Sequence, residues 1–231
     1  MSEQGESDAQ NAGRPETELR QEPTSSRRRA VFERILNAAL EVLAEEGLDK
    51  LTTRRVADAS GSNVSTLYRY FPNKEAIVLA AFERWSSEVL AALDRVEEES
   101  LGQADVGAFL GAILAELHGF SLDLRVWLAL HQAMRMYSRL IPREREHAEA
   151  VAERLARYMR HYGSTWGDEA LREFGILAYE FDCLMVSRLA VLPPERHAPT
   201  IALGQAAGLQ LFLGTLNPEP SGDPAYLEGE D

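Results

Sequence analysis

Residues 52–74 read TTRRVADASGSNVSTLYRYFPNK. The pattern predicts two short helices joined by a tight turn. Thr52 is placed to cap the first with its hydroxyl, and Val56 and Ala57 give that helix an inward face. Gly61 supplies the positive φ that a sharp turn demands. Asn63 is a good cap for a second helix, 64–71, in which Leu67 and Phe71 fall one turn apart and face inward. That leaves Val64, Ser65, Thr66, Tyr68, Arg69 and Tyr70 outward. This hydroxyl, aromatic and guanidinium surface is small enough for a DNA major groove and able to meet phosphates and base edges. Pro72 stops the helix. Asn73 caps the next one, with Lys74 at its start.

Outward from this stretch, 28–46 carries Phe32, Ile35, Leu36, Ala39 and Leu43 at three- and four-residue steps, one face of an amphipathic helix that ends at Gly47. Arg27, Arg28 and Arg29 stand at its start. They read either as a basic arm that tracks phosphates or enters a minor groove, or as a solvated helix start. Arg55 opposes the dipole of the first short helix. It reads either as a phosphate contact or as a solvated partner of Asp58 or another neighbour.

The runs ILNAALEVLAEEG at 35–47 and ASGSNVSTLYRYFPNKEA at 59–76 resemble the TetR (tetracycline-repressor) family of bacterial transcriptional regulators. The resemblance covers about residues 30–82. It implies an all-α fold, a twofold dimer, a DNA operator and a small-molecule effector. Matched onto the motif, Thr52, Arg54, Thr66, Tyr68, Tyr70 and Lys74 are expected at phosphates, and Val64, Ser65 and Arg69 at base edges. Ser62 and Ser65 depart from the family pattern, which has a small apolar residue and Gly, Ala or Pro there. Ser65 falls where it would alter the sequence read.

The chain has 231 residues and a net charge of −13. The charge is unevenly spread: 27–74 holds nine Lys/Arg against six Asp/Glu, 1–26 two against six, and the rest 13 against 25. A modestly basic module thus rides on an acidic body, which repels DNA away from the intended face. The single cysteine, Cys183, excludes an internal disulfide, and no membrane span or apolar leader is legible, so a cytoplasmic setting is expected.

About nine helices and no strands are expected. Four domains follow: a disordered acidic tail over 1–26, a helix-turn-helix domain over 27–73, a helical ligand-binding and dimerisation domain over 74–216, and a flexible tail over 217–231. The later helices are read at 74–98, 104–119, 122–140, 143–162, 168–191 and from Pro199 to Asn217. The last two are apolar enough to pair with a second copy, or else to fill one subunit's core. Gly204, Ala206, Ala207 and Gly208 are expected to permit close approach.

For an effector, Trp127, His131, Gln132 and Arg135 on one helix and Tyr179, Glu180 and Asp182 on another are candidate contacts for a mostly apolar molecule. His131 reads equally as a core residue, and Glu180 as one half of an ion pair. An acid–base role for His131, Glu180 and Asp182 would need them to converge in one cleft. No metal-ligand spacing, nucleophile elbow, phosphate loop or dinucleotide fingerprint is present. The expectation is therefore a non-enzymatic, cofactor-free, homodimeric repressor acting on an inverted-repeat operator. Activation, or control by a protein partner, remains the alternative.

Overall fold

The computed structural model describes residues 17–102, 105–118 and 123–219. Among these, nine α-helices and a single 3-10 turn (Pro194–Arg196) are present, and no strand. The helices are α1 Ser26–Glu46, α2 Thr53–Ala59, α3 Val64–Tyr70, α4 Lys74–Ser100, α5 Val106–His118, α6 Leu124–Met136, α7 Ile141–His161, α8 Asp168–Ala190 and α9 His197–Gly214.

Helix starts are set by short polar side chains that accept otherwise unpaired amides. Thr52 Oγ1 accepts the Arg55 amide at 3.1 Å, Asn63 Oδ1 the Thr66 amide at 2.7 Å, and Asn73 Oδ1 the Ala76 amide at 2.9 Å. Gly47 ends α1 at φ 83° and Gly61 makes the α2–α3 turn at φ 61°, a region costly for residues with a Cβ. One proline reading is corrected and another holds. α6 stops at Met136, not Leu140, and α7 already contains Pro142. α9 begins at His197, with Pro199 inside its first turn. In both, the missing proline N–H costs nothing, because first-turn amides have no helical acceptor.

The chain packs as two units. One is Met1–Val89 with Ser121–Arg145, the other Leu90–Phe120 with Glu146–Asp231. The helix-turn-helix thus shares its unit with the first part of α4 and with α6, beyond the expected boundary at 73. α1 packs on α2 and α6. The core runs from Ile35, Leu36 and Leu43 through Val56, Leu67, Tyr70 and Phe71 to Leu130, Ala133 and Met134. Burying a residue of this size is worth about 1.5–3 kcal/mol, so α6 is integral to the unit.

In the second unit, Phe109 meets Tyr158 edge-on at 5.1 Å, and the Tyr158 hydroxyl donates to Leu93 O at 3.2 Å. Arg154 grips Asp94 with two bonds of 2.7 and 3.1 Å. The close helix approach lies at Gly175, where a Cβ would stand 2.6 Å from Ala152 Cα. On α9, a Cβ at Gly204 would stand 2.4 Å from Met185 Cε, and one at Gly208 would stand 3.9 Å from Phe181 Cε1.

Both expected tails are partly placed. Leu19 packs against the first core, and the Arg20 amide donates to Tyr70 O at 2.8 Å. At the other end, Trp166 Nε1 donates to Asn217 O at 2.7 Å, and Glu219 Oε2 accepts the Gly167 amide at 2.8 Å. Gly167 has no side chain to cap α8, and Glu219 instead accepts the amide of the N-cap residue itself. Residues 1–16 and 220–231 of the expected tails lie outside the described residues.

Candidate nucleic-acid interface

α3 is held from behind. Leu67 and Tyr70 are buried, as is Phe71 just past the helix end. Phe71 stacks on Phe32 at 5.1 Å, and Tyr70 meets the same ring edge-on at 5.6 Å. This corrects one expectation: Tyr70 is 1% exposed and no candidate for phosphate. It stands three residues after Leu67 and therefore shares its inward face.

The opposite face is open. Val64, Ser65, Tyr68 and Arg69 are exposed, Thr66 is half-buried, and Thr52 and Arg54 are exposed on the neighbouring helix start. The Tyr68 hydroxyl lies 3.1 Å from Thr53 Oγ1. Whichever group donates, one hydroxyl proton remains for an outside acceptor. Thr52 likewise spends only a lone pair on its cap. Ser65 Oγ donates to Asn63 Oδ1 at 2.8 Å. With that proton committed, Ser65 turns lone pairs outward, which suits a base-edge donor such as cytosine N4 or adenine N6. Lys74 is half-buried, with Nζ 5.9 Å from the centroid of the Tyr137 ring.

Arg55 is taken by Glu46, not Asp58: its Nε donates to Glu46 Oε1 at 2.9 Å. The bond and the charge hold the Glu46 carboxyl below the usual carboxylate range. Arg27, Arg28 and Arg29 are exposed on the first turn of α1, and Arg28 Nη1 donates to Thr24 Oγ1 at 3.0 Å.

The expected effector residues fall in different units. Trp127 and His131 are buried in the unit that carries α3, whereas Tyr179, Glu180 and Asp182 belong to the other. The His131 ring stacks on Trp127 at 3.9 Å and meets Trp85 edge-on at 4.7 Å and Phe82 at 5.9 Å. Its Nδ1 lies 3.0 Å from Trp127 O. A carbonyl only accepts, so Nδ1 carries the proton. Gln132 and Arg135 are exposed, and Arg135 donates to Glu144 at 3.1 Å. They lie on the outer face of α6 and do not join the aromatic group. Trp85 and Phe82 do join it. Neither is among the effector contacts expected from the sequence.

In the second unit Tyr179 is buried and meets His147 at 5.4 Å, edge to face. Burial, with Arg154 adding to it, pushes the His147 imidazole down to about 4. Glu180 is exposed and Asp182 half-buried. His147 was not singled out from sequence, because a lone histidine amid charged residues carries no periodic signal. Cys183 is buried. Among the described residues, no His, Cys, Asp and Glu cluster could hold a metal ion, and no helix is long and apolar enough to cross a membrane.

A capped helix pair with its second member braced from behind and open in front defines a helix-turn-helix protein. Residues 35–81 match the sequence profile of bacterial regulatory proteins of the tetR family. An uncharacterised HTH-type transcriptional regulator in the dhlA 5′ region of Xanthobacter autotrophicus is 31% identical over 135 residues, 55% of this chain and 66% of that one. The HTH-type transcriptional repressor KstR of Mycobacterium tuberculosis is 38% identical over 80 residues, 35% of this chain and 34% of KstR. The chain thus spans under two thirds of the length of these curated relatives. The crystal structure of Thermus thermophilus FadR, a TetR-family transcriptional repressor in complex with lauroyl-CoA, matches 84% of this chain and 99% of FadR at a TM-score of 0.57 and 22% identity. That last likeness concerns the fold.

Proposed function

We propose that this chain is a homodimeric transcriptional repressor that reads an inverted-repeat operator and leaves it on binding a mostly apolar small molecule. The observation that carries the reading is the two-sided character of α3. Leu67 and Tyr70 lock it onto the core while Val64, Ser65, Tyr68 and Arg69 all stay open. A folded monomer has no use for that outward set, whereas a major groove has. KstR, described above, is a repressor by name, which supports the same sign of regulation.

Dimerisation is supported by α8 and α9. Leu177, Leu184 and Val191 recur at seven-residue steps and are 62%, 66% and 65% exposed, and Leu203 on α9 is 73% exposed. Large apolar side chains left open in this way mark a surface that another chain covers. A twofold pair would present two α3 helices about 34–36 Å apart. An effector reading is supported by the Trp85–Trp127–His131–Phe82 group and by α4, which contributes residues to both units. The effector must bind the DNA-incompetent state better than the competent one, or no release follows.

The test is selection of duplexes from a randomised pool by the full chain, followed by anisotropy titration. The enriched sequence should be an inverted repeat, and Arg69→Ala should weaken binding to it at least tenfold. Failure to enrich any sequence, or an unchanged Arg69→Ala affinity, sinks the reading. Acyl and aromatic compounds that raise the melting point should also lower DNA affinity, and Trp85 and Trp127 provide a fluorescence readout.

A further inference from the structure

We propose that Tyr137 is a positioning residue for DNA binding, whose ring holds the Lys74 ammonium by its π face and leaves the charge open to a phosphate. The inference rests on the DNA-binding reading above and adds to it a residue from the C-terminal end of α6. Lys74 is the first residue of α4, directly after the Asn73 cap, and its Nζ stands 5.9 Å from the centroid of the Tyr137 ring, over its face. That is within the range at which a ring face attracts a cation. Tyr137 is itself fixed. It closes α6, packs against the core that includes Leu130, Ala133 and Met134, and its carbonyl accepts the Leu140 amide at 2.8 Å. Leu140 is fully buried, so the ring hangs from a turn that is tied down on both sides.

A lysine at the first position of a helix opposes the positive end of the helix dipole, and a carboxylate beside it would relieve that. Among the described residues, Lys74 makes no ion pair. Arg55 shows the alternative: its Nε donates to Glu46 Oε1 at 2.9 Å, and that pair presents little net charge to DNA. A ring carries no net charge. It restricts the amine without neutralising it, so the ammonium keeps its attraction for a phosphate oxygen. Holding the amine in place also removes part of the rotamer freedom that an unrestrained lysine would lose on meeting DNA. The Tyr137 hydroxyl does not account for the placement of the ring, since it is buried and has no hydrogen-bond partner among the described residues. A tyrosine whose polar end goes unused contributes through its face.

The experiment is a double-mutant cycle on the full chain, read by anisotropy titration on the selected duplex. Tyr137→Leu fills most of the space without a π face. It should weaken binding about two- to tenfold for each subunit engaged, the cost of ordering one long side chain on association. In a Lys74→Met background, itself weaker than the wild type, Tyr137→Leu should cost nothing further. Tyr137→Phe keeps the face, drops the unused hydroxyl and should bind as the wild type does. Urea midpoints show whether each variant is folded; where Tyr137→Leu is not, Tyr137→Met takes its place in the cycle. An equal loss from Tyr137→Leu in both backgrounds would make the ring a core residue only, and no loss in either would make it irrelevant to DNA. Both results overturn the proposal. So does a Tyr137→Phe variant as weak as Tyr137→Leu, or a Lys74→Met variant that binds like the wild type. If the wild type enriches no duplex, the DNA-binding reading itself falls at that first step, before any variant is compared.

Discussion

At the scale of single residues, neighbours on α3 divide by exposure. Tyr68 and Tyr70 are two positions apart, yet Tyr70 is 1% exposed and Tyr68 40%. Tyr70→Ala removes a buried ring packed on Phe32 and Phe71 and should cost about 3–5 kcal/mol, a large share of the roughly 5–15 kcal/mol that holds a domain folded. Urea unfolding should show its midpoint drop, whereas Tyr68→Ala should leave the midpoint nearly unchanged and act on DNA affinity. His147 makes a second residue-scale prediction. Its pKa is about 4 in the folded chain against 6.5 as its ordinary value, so between these pH values the unfolded state binds more protons. Stability contributed by neutral His147 is full above pH 6.5 and is lost as pH falls toward 4, by about 3 kcal/mol. His147→Phe should flatten that part of the curve of urea midpoint against pH. An unaltered slope would show that the imidazole is not the group responsible.

At the scale of elements, the α7–α8 crossing depends on an absent side chain. In a free helix, Gly175→Ala would gain up to about 1 kcal/mol of helix propensity. Here the new Cβ would meet Ala152 Cα at 2.6 Å and its carbonyl oxygen at 2.9 Å, both backbone. Backbone cannot swing away, so overpacking of about 1–3 kcal/mol should prevail. The melting point is expected to fall by several degrees, and a rise would mean that the two helices can part without loss. Helix type and order were legible from periodicity and caps: Thr52, Asn63 and Asn73 each accept an amide three residues on. The boundary at Pro142 was not, because proline is tolerated in a first turn and forbidden later, and the letter alone does not say which.

At the scale of the molecule, the proposed pairing rests on the open leucines of α8 and α9. Leu184→Glu with Leu203→Glu puts carboxylates on a surface that pairing would dehydrate, at a cost of several kcal/mol per buried charge. Light scattering should show the wild type at twice the chain mass and the double variant at the chain mass. The variant should also lose affinity for an inverted repeat far more than for a single half-site. A wild type that remains monomeric at micromolar concentration would reject the paired reading. Charge acts at this scale too. A net charge of −13 keeps most of the surface from phosphate and leaves the basic helix pair as the point of approach.

The sequence by itself determined the all-α class, the helix pair and its caps, and the outward positions Val64, Ser65, Tyr68 and Arg69. Those features depend on neighbours within four residues, where chain geometry leaves few choices. Only the tertiary structure decided that Tyr70 turns inward, that Arg55 belongs to Glu46, and that Leu19 and Arg20 return to the end of α3. It also drew Trp85 and Phe82 to His131 and assigned Tyr179 to a different unit from Trp127. Each of these joins residues from separate elements, and such pairings follow from how helix faces fit together, which local pattern does not encode.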